Sequence, residues 1–410
     1  MCQYALWLAN LESQAVTLKC LATPRKDVME VSKTQFVLNS LMRLLQVFLG
    51  LAGWMGAGLI LGLHLRSGLQ PFLSMILASG LGVIAIVVHE SGHYIGARLH
   101  RMPVLMMRFA AVEVQLRRRD WKIRWSPQLK GRRLGGYVMA AANRQLPLRK
   151  QMLWLVLMGP LANLFTGLIS GGFGWLTQGL MSAFFLAFAV LNLSMAFANL
   201  VPTSRILPSD GSHLIAWWLH RDDQRAELAP MRLLAMSVAG VPCEQLPGAD
   251  LAQLSQGAMP QPLIAISYRL SALLNQSNFE AAIQLEQDLE ALLQEYAQSL
   301  EGMGTQITLL RIEFAFVRAY LNRDAKHLWD DWANSDLDWY CPWLRPRCSA
   351  LRAFLNGDLN LAEHYVQQTL AAASNSVFAS INRSEALLAN TMRALSAVAP
   401  SKDLKLELAP

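Results

Sequence analysis

His89, Glu90, Ser91, Gly92 and His93 spell HESGH. Histidines at i and i+4 of a helix stand on one face, one turn apart. That spacing lets both imidazoles reach a single zinc ion. The glutamate between them can act as general base on a water that such an ion activates. With 8 histidines in 410 residues, chance would produce this pattern in roughly 1% of such chains. Two imidazoles and a carboxylate at the end of an apolar stretch are also costly unless a metal or a wet cavity receives them. A merely structural role is therefore the weaker reading. His64, His100 and His220 are isolated and read as interfacial residues.

A catalytic zinc wants three protein ligands and an open position. Asp210 follows a later apolar stretch, and Pro208 and Ser209 can start a helix there, with Ser209 as its cap. Asp210 is a candidate third ligand; it could also be a plain helix N-terminal acid. His213, one turn further on, is an alternative ligand or a partner of one.

These residues need elements to position them. The chain is 53% hydrophobic and 16% charged, against about 25% charged in an ordinary soluble protein. The excess lies between Phe36 and Leu219. A bilayer core needs about 20 apolar residues of helix, and four stretches meet this: roughly Leu44–Leu63, Phe72–Tyr94, Leu153–Trp175 and Leu180–Leu200. Between the second and third, residues 98–150 carry fourteen Lys and Arg against Glu113 and Asp120 alone. The positive-inside rule puts this segment, both termini and the HESGH end of the second span in the cytoplasm. The net charge of +7 then reads as topology and contact with anionic lipid head groups, with no nucleic-acid partner. Within the segment, Val112–Trp125 shows partial alternation around a turn at Arg118–Asp120, predicting a β-hairpin. A further strand is expected over Gly136–Ala141. Five cysteines without a CxxC pair fit a reducing compartment. The first 34 residues, with Glu12, Asp27 and Glu30, lack the order of a signal peptide.

Taken together, the motifs resemble the site-2 protease family of intramembrane zinc metalloproteases. HESGH looks like the family's HExxH, and NLVPTSRILPSDG like its aspartate-glycine motif. LGGYV (Leu134–Val138) looks like its Gly-Gly strand, and GPLANL (Gly159–Leu164) like its GPxxN motif. The likeness covers roughly residues 72–220. The stretch from Pro202 to Asp210 is longer than in familiar members, Ser209 replaces the usual leucine, and no room remains for a PDZ domain. The resemblance implies one Zn2+ per chain on His89, His93 and Asp210, with Glu90 activating water. It implies Asn163 as a hydrogen-bond donor to the developing oxyanion. It implies Gly135, Gly136, Tyr137 and Val138 as a strand edge that holds an extended substrate. The substrate would be a transmembrane protein or peptide cut in or near its span. The expected setting is an integral protein of a bacterial plasma membrane.

From about Arg221 the chain reads as soluble helix. The segments starting at Asn275, Asn322 and Asn356 share a turn pattern, the last two at the tetratricopeptide spacing. A cytoplasmic module that binds a protein partner is one reading, a generic bundle the other. The expected organisation is a cytoplasmic segment 1–35, a membrane metalloprotease domain 36–220 and a tetratricopeptide-like domain 221–410. In fold class this is an all-α membrane protein with about four transmembrane helices, a small β-hairpin insertion and a soluble repeat-like helical domain. The competing function is a catalytically inactive membrane-anchored scaffold acting through the C-terminal array; retention of Glu90 speaks against it. A zinc carrier would need further acids or histidines in the spans.

Overall fold

The computed structural model describes residues 33–65, 70–127, 135–203, 209–219, 221–297, 303–326, 328 and 336–398. The expected N-terminal segment falls almost wholly outside these, as do Leu134, Pro208, His220, Trp329 and Trp332. The chain divides into two compact units between Met231 and Arg232.

In the first unit, α1 (Lys33–His64), α2 (Gln70–Leu99), α3 (Leu148–Leu176) and α4 (Gly179–Leu200) are each long and apolar enough to cross a membrane. Their exposure is the reverse of a water-soluble bundle. Leu63, Phe72, Ile169 and Trp175 lie on the surface, while Ser74, His89, Glu90, Asn163, Ser170 and Asn192 are buried. Lipid tails meet the outer faces, and every inward polar group must find a partner inside. Small residues bring the helices together: Ala57, Ala78, Ala183 and Ala187 are fully buried in one cluster with Leu61 and Leu191. The chain is an integral membrane protein.

After α2 the chain turns at Arg101, whose φ is 53°, and Pro103 bars a return to helix. Four antiparallel strands follow: β1 (Val104–Phe109), β2 (Val112–Leu116), β3 (Trp121–Trp125) and β4 (Gly136–Ala140), in the order β3-β2-β1-β4. The expected hairpin is β2–β3 and the expected further strand is β4. β1 enlarges the hairpin insertion to a four-stranded sheet. Its VLMMRF sequence does not alternate because five of its six residues are buried, so period-two patterning has nothing to report. Two of the basic residues serve the sheet rather than lipid. Buried Arg108 and half-buried Arg124 both pair with Glu113, at 3.5 and 3.2 Å, and Glu113 is 1% exposed.

A short helix α5 (Asp210–Leu219) completes this unit. It is tied to the start of α3 from both sides. Arg149 donates to the Trp217 and Trp218 carbonyls at the end of α5, at 2.9 and 3.0 Å. Asp223 accepts from the Leu148 and Arg149 backbone N–H groups, at 2.8 and 3.2 Å, and so caps α3.

The second unit is helical: α6 (Ala229–Val238, which begins just before it), α7 (Gly248–Gln256), α8 (Gln261–Asn275), α9 (Phe279–Glu295), α10 (Gly304–Asn322), α11 (Asp336–Tyr340), α12 (Leu344–Leu355), α13 (Leu359–Ser374) and α14 (Ala379–Val398). Two of the turn motifs build one geometry. Ser277 and Gly357 take positive φ, 55° and 79°. Asn278 and Asp358 then cap α9 and α13 by accepting from Ala281 and Leu361 N–H, at 3.1 and 3.0 Å. Cys243, Cys341 and Cys348 are buried, and burial pushes the Cys243 and Cys348 thiols up to about 12.

Arg347, 2% exposed, donates to Glu313 at 2.5 Å and to Glu385 at 2.9 Å. Burial raises the Glu385 carboxyl to about 7, with Arg347 opposing and Glu313 adding to the rise. An acid raised on folding contributes stability that is complete below its unfolded value and is lost as pH climbs through the folded one. The melting of the second unit should therefore fall between pH 5 and 8, by up to about 3 kcal/mol. Glu385→Gln should flatten that dependence. Circular dichroism melts across this range check it, and an equally steep loss in the variant would refute it.

Candidate metal centre

His89 and His93 lie on the last turns of α2, facing α3. His89 Nδ1 donates to Asn163 Oδ1 at 2.6 Å, and His93 Nδ1 donates to the Leu155 carbonyl at 2.7 Å. Both partners are acceptors, so each ring carries its proton on Nδ1 and turns the Nε2 lone pair outward. The two Nε2 atoms are 3.1 Å apart. Asp210, the first residue of α5, brings Oδ2 to 3.0 Å from His89 Nε2 and Oδ1 to 3.6 Å from His93 Nε2.

Three lone-pair donors thus converge with no proton between the imidazoles, an arrangement that calls for a cation. Tetrahedral zinc with bonds of ~2.0–2.1 Å would hold ligand atoms ~3.3 Å apart, the spacing found. Asp210 Oδ2 and Glu90 Oε2 are buried without a hydrogen-bond donor, as a ligand and a base both require. Among the described residues, this trio forms a group able to hold a metal ion. His213 is not part of it; burial pushes its imidazole below the usual range, with Asp210 opposing.

Local sequence explains the convergence. A Cβ at Gly159 would overlap the His93 ring, so the first residue of GPLANL makes room for that imidazole. A Cβ at Gly211 would strike the Leu200 carbonyl; the glycine after Asp210 lets α5 close onto the end of α4. Ser209 Oγ receives the Ser212 N–H at 3.3 Å and itself donates to the Val201 carbonyl at 2.6 Å, capping α5 and clasping the turn. Glu90, 4% exposed, sits under β4: a Cβ on Gly136 would overlap its side chain.

The other predicted residues are placed as follows. Asn163 is fully buried, and its Nδ2 donates to the Ala85 carbonyl at 3.0 Å and to Asn192 Oδ1 at 2.8 Å. Gly135 is exposed and its carbonyl accepts from Ala110 N–H at 3.0 Å. Tyr137 is buried, its hydroxyl donating to Met106 Sδ at 3.2 Å. Val138 packs against the core of β1, β2 and α3. Tyr137 and Val138 thus belong to the core, while the outer edge of β4 pairs with no strand among the described residues. Sequence reasoning missed Asn192. It stands in α4 with no exposure, accepts from Asn163 and donates to the Phe188 carbonyl at 2.9 Å. The available signal was a lone carboxamide inside an apolar span.

Residues 77–180 match the family model of Peptidase family M50, the site-2 protease family. The matched segment holds His89, Glu90, His93, β4 and Asn163, and stops before Asp210. No curated protein and no solved structure matches the chain.

The row Asn192, Asn163, His89 runs through α4, α3 and α2 and sets the tautomer of one ligand. Asn192→Leu should lower divalent-metal affinity by about 10–100-fold while helix content stays unchanged. Competition titration with a metal indicator checks this. Full affinity in the variant would show that Asn163 holds His89 unaided.

Proposed function

We propose that the protein is an intramembrane zinc endopeptidase that cuts membrane-protein substrates within or beside a transmembrane segment. The observation that carries this reading is the joining of His89, His93 and Asp210 beside a buried, unpartnered Glu90. The match of residues 77–180 to a metallopeptidase family supports it. His89, His93 and Asp210 would hold the ion, leaving a position open. When bound, zinc would polarise a water and the scissile carbonyl. Glu90 takes the proton from the attacking water and delivers it to the leaving amine. Its burial keeps that carboxylate from bulk solvent.

A substrate helix hides its peptide bonds in its own hydrogen bonds and must be drawn out before attack. β4 is an edge strand, and Gly136 lies against Glu90. A segment paired along β4 would present its main chain beside the base. In this reading Asn163 acts by orienting His89. Both its amide hydrogens are committed, so donation to an oxyanion would require breaking one of those bonds.

The basic segment 98–150 supports a cytoplasmic site. On β3, Trp121, Ile123 and Trp125 are exposed beside Lys122, a composition that fits the anionic lipid surface. The hairpins of the second unit support a tetratricopeptide-like module for a protein partner.

Purified protein in detergent should contain one zinc per chain and cleave a model membrane substrate. Glu90→Gln should keep the zinc and lose about 10²–10⁴-fold in rate. Equal cleavage by both proteins would sink the catalytic assignment; no cleavage by the wild type would leave the scaffold reading standing. On a Glu90→Gln background, Gly136→Pro should abolish the trapping of uncut substrate; unchanged trapping would remove β4 from the mechanism.

A further inference from the structure

Within the second unit, helices α8, α10, α12 and α14 enclose a cavity of about 40 Å³. Its apolar wall includes Leu270, Leu274, Leu309 and Leu388. Its polar end is the Arg347, Glu313 and Glu385 cluster with Ser384 and Asn275. None of these residues belongs to the metal centre.

The polar end is unfinished. Arg347 gives one nitrogen to Glu385 Oε1 and one to Glu313 Oε2, and its guanidinium lies over the Phe316 ring at 4.7 Å. Glu385 Oε2, Ser384 Oγ and Asn275 Oδ1 are buried without a hydrogen-bond partner. Glu385 is 3% exposed. Asn275 is held with its acceptor free, because its Nδ2 donates to Glu244 Oε2 at 2.7 Å. Arg347 Nε also lacks a partner, but it sits on a guanidinium already flanked by two carboxylates. Among the described residues, two carboxylates stand against one guanidinium, and the three free acceptors meet no hydrogen-bond donor. Buried acceptors left unmade are costly, and native structures fill such places with water or ligand.

We propose that this cavity binds a primary alkylammonium group, as carried by a lysine side chain or a small free amine. The ammonium supplies three donors and one positive charge to Glu385 Oε2, Asn275 Oδ1 and Ser384 Oγ. A water takes about 10–15 Å³ of such a cavity, so the space suits about three non-hydrogen atoms: the nitrogen and two methylenes. The leucine wall receives the stem, as apolar surfaces commonly take lysine stems. The rise of the Glu385 carboxyl to about 7 agrees, since the site takes up a proton when no other cation serves it. The inference does not depend on the protease reading.

The test is isothermal titration of the full chain in detergent with n-butylammonium chloride and, separately, Nα-acetyl-lysine amide. Potassium chloride and n-butanol are controls. Saturable binding of n-butylammonium, with at least tenfold loss in Glu385→Gln, is expected; the lysine derivative then distinguishes a side-chain ligand from a free amine. Ser271→Leu, which narrows the cavity from the α8 side, should abolish binding even where Glu385→Gln fails to fold. Absence of binding by both amines would mean that the cavity holds water only, and equal saturation by potassium would make it an inorganic cation site. Either result overturns the proposal, as does undiminished binding in both variants. Binding lost in these variants while zinc content and cleavage persist separates this site from the metal centre.

Discussion

Two imidazole lone pairs and a carboxylate are forced together in a place largely shut off from bulk water. Neither ring can relieve the other, because each Nδ1 proton is already spent on an acceptor from α3. Inside a bilayer no solvent can screen such a meeting. A cation at the centre would offset that cost, and the trio is able to hold one. Several features of the membrane half hold that triangle without letting it spread. Asn163 is locked by two helices, Gly159 yields space to a ring, and Gly211 lets α5 press against α4. The mutual ties between Arg149, Asp223 and the ends of α3 and α5 then fix where Asp210 can sit.

The sheet answers a different difficulty. A base buried deeply enough to keep its proton chemistry private is also hidden from a peptide. In the proposed mechanism β4 crosses this gap because its first residue, Gly136, has no side chain. Tyr137 and Met139 anchor the strand in the core, each under 10% exposed, while its outer edge remains a main-chain edge. Anchoring by side chain and pairing by main chain are compatible because side chains project from the faces of a sheet while its hydrogen bonds run in its plane.

Much of this was legible in the sequence, for reasons that differ by residue. HESGH is a local pattern, so its one-face geometry follows from helical spacing alone. The spans are legible because the bilayer imposes length. Asp210 could be nominated from chain order, since it follows the last span on the side where HESGH ends the second. Asn192 could not be given a role. Its partner is in another helix, and one amide among apolar residues carries no register. β1 was illegible because burial on both faces erases alternation. Hairpin turns of the second unit were visible through Asn278 and Asp358, whose capping chemistry is local.

The buried charges of the second unit show the limit of such reading. Glu313, Arg347 and Glu385 come from three helices, and each looks like an ordinary polar face when its own helix is read alone. Only packing reveals that they share one enclosure. A buried ion pair is a weak source of stability, and apolar replacements of similar volume often do as well or better. Two acids against one guanidinium are worse than balanced, and a leucine at position 385 would join the apolar wall already present. Stability alone therefore gives no reason for a carboxylate there, whereas a ligand that brings its own positive charge does.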